Sequence, residues 1–146
     1  MIAYFDTSAL IKFYIDEKDS DLVKETVKSS EVVFTSKISY VEMFSVFSRI
    51  KRDQAITEND YRRILKSFIV DWESYAVIEI TNRILNISSQ LFEFYPLRSL
   101  DALHLGSALF TQKEVDEDIA FVCFDNRLWK AAKEENFKVI PESLND

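Results

Sequence analysis

The chain has 146 residues, 47% of them hydrophobic, and a formal net charge of −7 at pH 7. This length and composition are typical of one globular domain with a core of its own. The single glycine argues against the glycine-rich loops with which nucleotide-binding proteins hold phosphates. The single cysteine, Cys123, excludes an intramolecular disulfide and a thiolate metal site, and it fits a reducing compartment.

Signals for export or membrane insertion are absent from the sequence. The N-terminus lacks a basic segment followed by a long apolar core, and no apolar run approaches the length that spans a bilayer. We therefore expect a cytoplasmic protein that does not associate with membranes. The negative net charge also argues against broad, nonspecific binding to a polyanion.

Short apolar runs alternate with amphipathic segments along the chain. In order, the predicted elements are a strand at 2–5, helices at 8–15 and 20–29, a strand at 32–34, helices at 37–52 and 57–72, a strand at 75–80, helices at 82–94 and 99–113, a strand at 119–124, a helix at 126–135 and a strand at 137–140. Thr7 or Ser8 is expected to cap the first helix, Thr57 to begin the fourth, and Pro96 to end the fifth. This alternation predicts an α/β fold with one domain, 1–146, and a central, mostly parallel sheet with helices on both faces.

Two acidic residues, Asp6 and Asp125, come directly after apolar strands. Because open α/β sheets place their chemistry beyond the carboxyl ends of the strands, these two side chains are expected to share a site. Each also has a structural interpretation, since an Asp after a strand often caps the next helix. Thr7, Ser8 and Asn126 offer alternative caps that would free the carboxylates.

Two further acids, Glu42 and Asp101, lie on predicted helices. Glu42 belongs to a narrow polar strip on a mostly apolar helix, where it could also face water or pair with Arg49. Asp101 opens a helix whose dipole favours negative charge, and its neighbours are mostly apolar. Each acid alone is ambiguous, but four carboxylates with almost no histidine or cysteine describe an oxygen-only site suited to Mg²⁺ or Mn²⁺.

Other polar and aromatic residues allow two interpretations each. His104, three residues after Asp101, is either a ligand or general base or, as we favour, a structural residue. As the only histidine it excludes catalysis by two imidazoles. Trp72 and Trp129 are expected in the core or an interface rather than stacked on bases, and Cys123 is expected to be a small core residue.

Basic residues are clustered at three places despite the negative net charge. The clusters are Arg49, Lys51 and Arg52; Arg62, Arg63 and Lys66; and Arg127, Lys130 and Lys133. One interpretation is that they form solvated helix faces with acidic partners one turn away. The other is that some of them flank a metal site and hold phosphates.

The four acids lie in segments that also agree with a known family. The segments are Tyr4–Lys12, Ser39–Glu42, Leu97–His104 and Phe121–Leu128. In order and separation they resemble the four acidic motifs of PIN-domain ribonucleases, most closely the VapC-type toxins of bacterial and archaeal toxin–antitoxin pairs. The resemblance extends over almost the whole chain.

The resemblance implies a PIN fold with the acids gathered in one groove. It implies a Mg²⁺- or Mn²⁺-dependent ribonuclease that is usually dimeric and is held inactive by an antitoxin. Asp6 and Asp101 would be the principal metal ligands, with Glu42 and Asp125 completing the acidic cluster. Ser8 and Asn126 would be supporting polar residues.

One residue departs from the family pattern, since Cys123 stands where Thr or Ser is common two residues before the last acid. A thiol is a weaker hydrogen-bond donor, so Asp125 is expected to be oriented less firmly. The main alternative function is an inactive PIN-like module that acts through a protein partner, and retention of all four acids argues against it. A phospho-acceptor receiver domain is disfavoured because Asp6 is followed by Thr7 and Ser8 rather than by a second acid.

Overall fold

The computed structural model describes residues 1–144, so the last two residues of the predicted domain lie outside the described part. The strands are β1 (Ile2–Phe5), β2 (Val32–Ser36), β3 (Ala76–Ile78), β4 (Ile119–Val122) and β5 (Lys138–Ile140). The helices are α1 (Thr7–Tyr14), α2 (Ser20–Ser29), α3 (Ile38–Arg52), α4 (Glu58–Trp72), α5 (Asn82–Leu91), α6 (Ser99–Val115) and α7 (Asn126–Glu134). All twelve predicted elements are therefore present.

The five strands form one sheet in the order β3-β2-β1-β4-β5, and every pairing is parallel. Each strand side chain points to the opposite face from the next, which divides the core in two. Ile2 and Tyr4 of β1 pack with α5, α6 and α7, whereas Ala3 and Phe5 pack with α1 to α4. The predicted α/β fold with helices on both faces is confirmed, and the sheet is entirely parallel.

Several predicted boundaries were wrong by a few residues. The strand predicted at 75–80 is limited to Ala76–Ile78, and the helix predicted at 82–94 ends at Leu91. Its last residues instead form a turn in which the Tyr95 amide donates to the Leu91 carbonyl. The Leu91 carbonyl accepts from the Phe94 amide as well, so a tight turn rather than a further helical turn leads to Pro96.

The two tryptophans and Cys123 contribute to the cores, as predicted. Cys123 and Trp129 are buried in the core beneath α5 to α7, where the Trp129 indole donates to the Pro141 carbonyl. Trp72 is half-buried against the core beneath α1 to α4. Within residues 1–144, no helix is both long enough and apolar enough to cross a bilayer.

The strand order creates a crevice beside β1. The chain adds β2 and then β3 on one side of β1, and later adds β4 and β5 on the other side. The direction of winding thus reverses between β1 and β4, and α/β proteins bind ligands beyond the carboxyl ends of the strands at such a point. Asp6 follows β1 and Asp125 lies three residues beyond β4, so both belong to this crevice.

Candidate active site

A cavity of about 280 Å³ opens at the carboxyl ends of β1 and β4. The structure brings all four predicted acids into its wall: Asp6, Glu42, Asp101 and Asp125. The other polar side chains of the wall are Thr7, Ser8, Arg49, Arg98 and His104. Asn126, predicted as a supporting residue, is not part of this wall.

Asp6 is fixed by the first turn of α1. It is the N-cap residue of that helix, and its carboxylate accepts from the Ala9 amide at 3.0 Å. The prediction that Thr7 or Ser8 caps the helix was wrong, because Asp6 has the extended backbone of a cap and Thr7 is already helical. Ser8 Oγ instead donates to the Asp6 carboxylate, at 2.8 and 2.9 Å from its two oxygens.

Burial controls the charge state of Asp6. The residue is only 3% exposed, and removal from water raises its pKa from 3.8 to about 6. The charge of His104 and the hydrogen bond from Ser8 act in the opposite direction but offset only part of this effect. Burial thus destabilises the ionised carboxylate, and a nearby cation would stabilise it.

Cys123 contacts Asp6 rather than the side chain of Asp125. Its Sγ lies 3.4 Å from Asp6 Oδ2, and near Asp125 it reaches only the backbone. Burial, with the neighbouring charge of Asp6, raises the pKa of the thiol well above its usual value, so the group is a neutral donor at physiological pH. Cys123 therefore makes no hydrogen bond to the Asp125 carboxylate, and the weaker thiol donor does not act on that carboxylate directly.

Glu42 is held by two donors on the same oxygen. Thr7 Oγ1 donates to its Oε1 at 2.7 Å, and His104 Nε2 lies at 2.7 Å from that atom. Burial alone would raise the pKa of Glu42, but the hydrogen bond and charge of His104, together with the bond from Thr7, lower it below its usual value. Among residues 1–144, Arg49 is not its partner, so the ion pair considered from the sequence is absent.

His104 joins Glu42 to the core. Its side chain is 2% exposed, and the Tyr4 hydroxyl lies 2.7 Å from Nδ1. With a proton on Nε2 the ring donates to Glu42, while Nδ1 and the Tyr4 hydroxyl form the second hydrogen bond; the proton on Nε2 is assigned from these partners. Sequence reasoning missed this contact because Glu42 and His104 are 62 residues apart; the only signal was the shared helix face of Asp101 and His104.

Asp101 and Asp125 are bridged by Arg98. The guanidinium Nε lies 3.4 Å from Asp101 Oδ2 and Nη2 lies 3.0 Å from Asp125 Oδ2. Burial and the negative charge of Asp125 raise the pKa of Asp101, and Arg98 opposes this shift. Asp125 also caps α7 by accepting from the Leu128 amide at 3.1 Å. The cap that Asn126 offered in the sequence is therefore not used.

The donor set suits a hard divalent cation in chemical type, because carboxylate oxygens are the protein ligands that Mg²⁺ and Mn²⁺ prefer. The acidic side chains that line the cavity do not converge closely on one point. Across residues 1–144, no three His, Cys, Asp or Glu side chains are arranged so that they could hold an ion. Arg98 contacts one oxygen of Asp101 and one oxygen of Asp125.

The basic clusters separate into two kinds. Arg49 lines the cavity, and within residues 1–144 it makes no ion pair. Lys51 and Arg62 pair with Glu58 at 2.9 and 3.2 Å, and Arg63 pairs with Asp60. The solvated-face interpretation is correct for Arg62 and Arg63, whose acidic partners lie one turn away on α4, whereas Lys51 of α3 pairs with the first residue of α4.

The family model described as "PIN domain" matches residues 3–134. This chain belongs to the PIN domain family. It is 25% identical over 144 residues to Ribonuclease VapC49 of Mycobacterium tuberculosis, covering 99% of this chain and 98% of that protein. The predicted PIN family assignment is thereby confirmed.

Two solved structures share the fold. The crystal structure of FitAcB from Neisseria gonorrhoeae superposes with a TM-score of 0.69 at 14% identity, covering 99% of this chain and 97% of that one. A toxin–antitoxin complex from Klebsiella pneumoniae gives a TM-score of 0.64 at 17% identity, covering 98% and 99%. The PIN fold thus extends over nearly the full length of this chain.

Proposed function

We propose that this protein is an endoribonuclease that hydrolyses RNA phosphodiester bonds with Mg²⁺ or Mn²⁺, and that it is the toxin of a type II toxin–antitoxin pair. The observation that carries the proposal is the convergence of four carboxylates on one cavity at the switch point of a PIN-family sheet. The relative named Ribonuclease VapC49, aligned over almost the whole chain, supports the same activity.

Each acid has a role in this proposal. By the family resemblance, Asp6 and Asp101 would be the principal metal ligands, and Glu42 and Asp125 would complete the cluster. Ser8 fixes the Asp6 carboxylate through both oxygens. Because Oε1 of Glu42 already accepts two hydrogen bonds, Oε2 is the oxygen that remains for a ligand in the cavity.

A Mg²⁺ or Mn²⁺ ion held by these carboxylates would supply an activated water near neutral pH and would neutralise phosphate charge. The protein's own residues position the cation and the RNA. The carboxylates fix the cation site, and Arg49 on α3 offers a positive charge to the RNA backbone from the cavity wall. No serine nucleophile or pair of imidazoles is required.

A cleavage assay with a defined RNA tests the activity. We expect Mn²⁺ or Mg²⁺ to support cleavage and EDTA to abolish it. Because water rather than the ribose 2′-hydroxyl is the nucleophile, the products should lack a 2′,3′-cyclic phosphate. Cleavage in EDTA, or cyclic phosphate ends, would contradict the mechanism; RNA binding without any cleavage would favour the inactive binding module.

A second groove suits the antitoxin of the pair. It has a volume of about 560 Å³, lies between α1 and α4, and combines Phe13, Tyr14 and Val70 with the basic Arg63 and Lys66. The aromatic side chains here face in two directions. Phe68 of α4 is fully buried, whereas Phe13 and Tyr14 are only partly buried and line the groove.

The groove and the cavity lie at opposite ends of α1. Tyr14 lies six positions after Ser8, which corresponds to about 9 Å along a helix. We propose that an antitoxin segment fills the groove and extends an arginine towards Asp6 and Asp101. Such a charge would satisfy the carboxylates in place of the metal, so inhibition should weaken as Mn²⁺ rises. Inhibition that is insensitive to the metal concentration would point to steric blocking away from the acids.

Three further assignments belong to the same proposal. The pattern of the sequence favours one PIN domain, 1–146, and a cytoplasmic protein, and the family resemblance implies a homodimer. Sedimentation of the purified protein tests the dimer, and a monomer at micromolar concentration would contradict it.

A further inference from the structure

Arg98 lies at the mouth of the cavity, immediately before α6. It is the N-cap residue of that helix, and its side chain makes no cap hydrogen bond. The side chain is 71% exposed, whereas those of its partners Asp101 and Asp125 are 15% and 25% exposed. An exposed cation therefore spans two carboxylates that are largely withdrawn from water.

Among residues 1–144, Arg98 is the only arginine or lysine that forms an ion pair with an acid of the cavity. The oxygens that Arg98 engages, Oδ2 of Asp101 and Oδ2 of Asp125, belong to the proposed cation ligands. A divalent cation and the guanidinium cannot both occupy the space between these carboxylates.

We propose that Arg98 is an exchangeable counter-ion: it neutralises Asp101 and Asp125 in the metal-free protein, yields them to the divalent cation, and then binds a phosphate of the RNA. The inference rests on the proposed function and deepens it, because it names the residue that couples metal binding to substrate binding. Arg98 thereby becomes a substrate-positioning residue of the site.

The exchange is physically easy. Ion pairs with an exposed partner contribute little to stability because solvent screens them, so a divalent cation can displace the guanidinium. The released side chain keeps its charge and its fork of N–H donors, which fits phosphate oxygens as well as it fits carboxylates. Arg49 faces the same cavity from α3, so two arginines would then be available to the RNA backbone.

Calorimetric titration with Mn²⁺ tests the first half of the exchange. Arg98→Gln should bind Mn²⁺ about threefold to tenfold more tightly than wild type, because the competing cation is gone. Arg49→Gln is the matched control: it removes a positive charge from the same cavity without breaking an ion pair, so it should tighten binding much less. Equal tightening in both variants, or no tightening in Arg98→Gln, would overturn the exchange.

The second half is tested by the KM for RNA at saturating Mn²⁺. Arg98→Gln should raise KM about fivefold to twentyfold, and Arg98→Lys should raise it less. Arg62→Gln, which removes an equally exposed and ion-paired arginine on α4, should leave KM near the wild-type value. An unchanged KM in Arg98→Gln would overturn the phosphate role. Failure of wild type itself to bind Mn²⁺ would refute the proposed metal site instead, so the two failures are distinguishable.

Discussion

Nε2 of His104 lies 2.7 Å from Oε1 of Glu42. Behind the imidazole, the Tyr4 hydroxyl lies 2.7 Å from Nδ1, so the ring is fixed at both nitrogens. Groups that orient metal ligands in this way are a general requirement of metal sites, because they select one rotamer and keep the ligand basic. If Glu42 is a metal ligand, as proposed, His104 is the residue that positions it.

Substitution of His104 should separate positioning from acid–base chemistry. His104→Leu removes the donor to Glu42 and should lower kcat/KM about 10-fold to 100-fold, the usual cost of losing such a contact. His104→Gln supplies an amide N–H near the position of Nε2 and should retain most activity. Thermal unfolding of both variants shows whether they fold. Equal inactivity of two folded variants would mean that the imidazole itself takes part in proton transfer.

The burial of Asp6 should appear in the pH dependence of stability. Its pKa is about 6 in the folded protein and near 3.8 when exposed, so the folded state binds a proton more tightly. The free energy of unfolding should therefore fall by about 3 kcal/mol on this account as pH rises from about 4 to about 6, and stay level above that. Metal-free conditions are required, since a cation would offset the charge.

Asp6→Asn isolates this contribution. The amide oxygen can still cap α1, but the buried charge is gone, so in EDTA the variant should exceed wild type by about 1–3 kcal/mol at pH 7.5 and match it near pH 4. Urea unfolding at both pH values measures the difference. If the difference in unfolding free energy between the two proteins did not increase with pH, burial would not destabilise the ionised Asp6 carboxylate.

Asp125 has a structural role that can be separated from its charge. Its Oδ1 caps α7 while its Oδ2 meets Arg98. Asp125→Ala should lose about 1 kcal/mol of stability with the cap, whereas Asp125→Asn should keep the cap and lose only the charge. Both should impair Mn²⁺ binding. If urea unfolding gave the two variants equal stability, the cap would not contribute.

The proposed antitoxin groove can be tested without disturbing the cavity. Val70 is 64% exposed and lines the groove, whereas Ile69, its neighbour on α4, is 44% exposed and lies outside it. Val70→Asp should weaken pull-down of the cognate antitoxin on co-expression at least tenfold and leave RNA cleavage intact. Ile69→Asp should change neither. Equal loss of capture in both variants would place the antitoxin elsewhere on α4.

Much of this fold was predictable because its signals are local. Runs such as 2–5 and 119–124 are short and apolar, and alternation of strands with helices leaves a parallel sheet as the natural outcome. The positions of Asp6 and Asp125 then follow from the strand ends. The boundary errors lie at element ends such as Leu91, where the chain continues as a turn while aromatic residues continue the apolar pattern.

The contacts between distant residues were not predictable. Thr7 and Glu42 are 35 residues apart, and nothing in either segment indicates that their side chains meet. Whether Asp6 or a neighbouring hydroxyl caps α1 depends on the backbone angle at one residue. The bridge from Arg98 to Asp125, 27 residues away, depends likewise on how α6 is placed beside β4.

Titration calorimetry with Mn²⁺ on the wild type and on Asp6→Asn/Asp101→Asn decides whether this cavity is a metal site. We expect wild type to bind Mn²⁺ and the double variant, which lacks both proposed principal ligands but keeps similar side-chain shapes, to bind at least about 100-fold more weakly. Thermal unfolding in EDTA should show the variant to be folded and at least as stable as wild type. Equal Mn²⁺ affinity in the two folded proteins would contradict the assignment of this cavity as the metal-dependent active site.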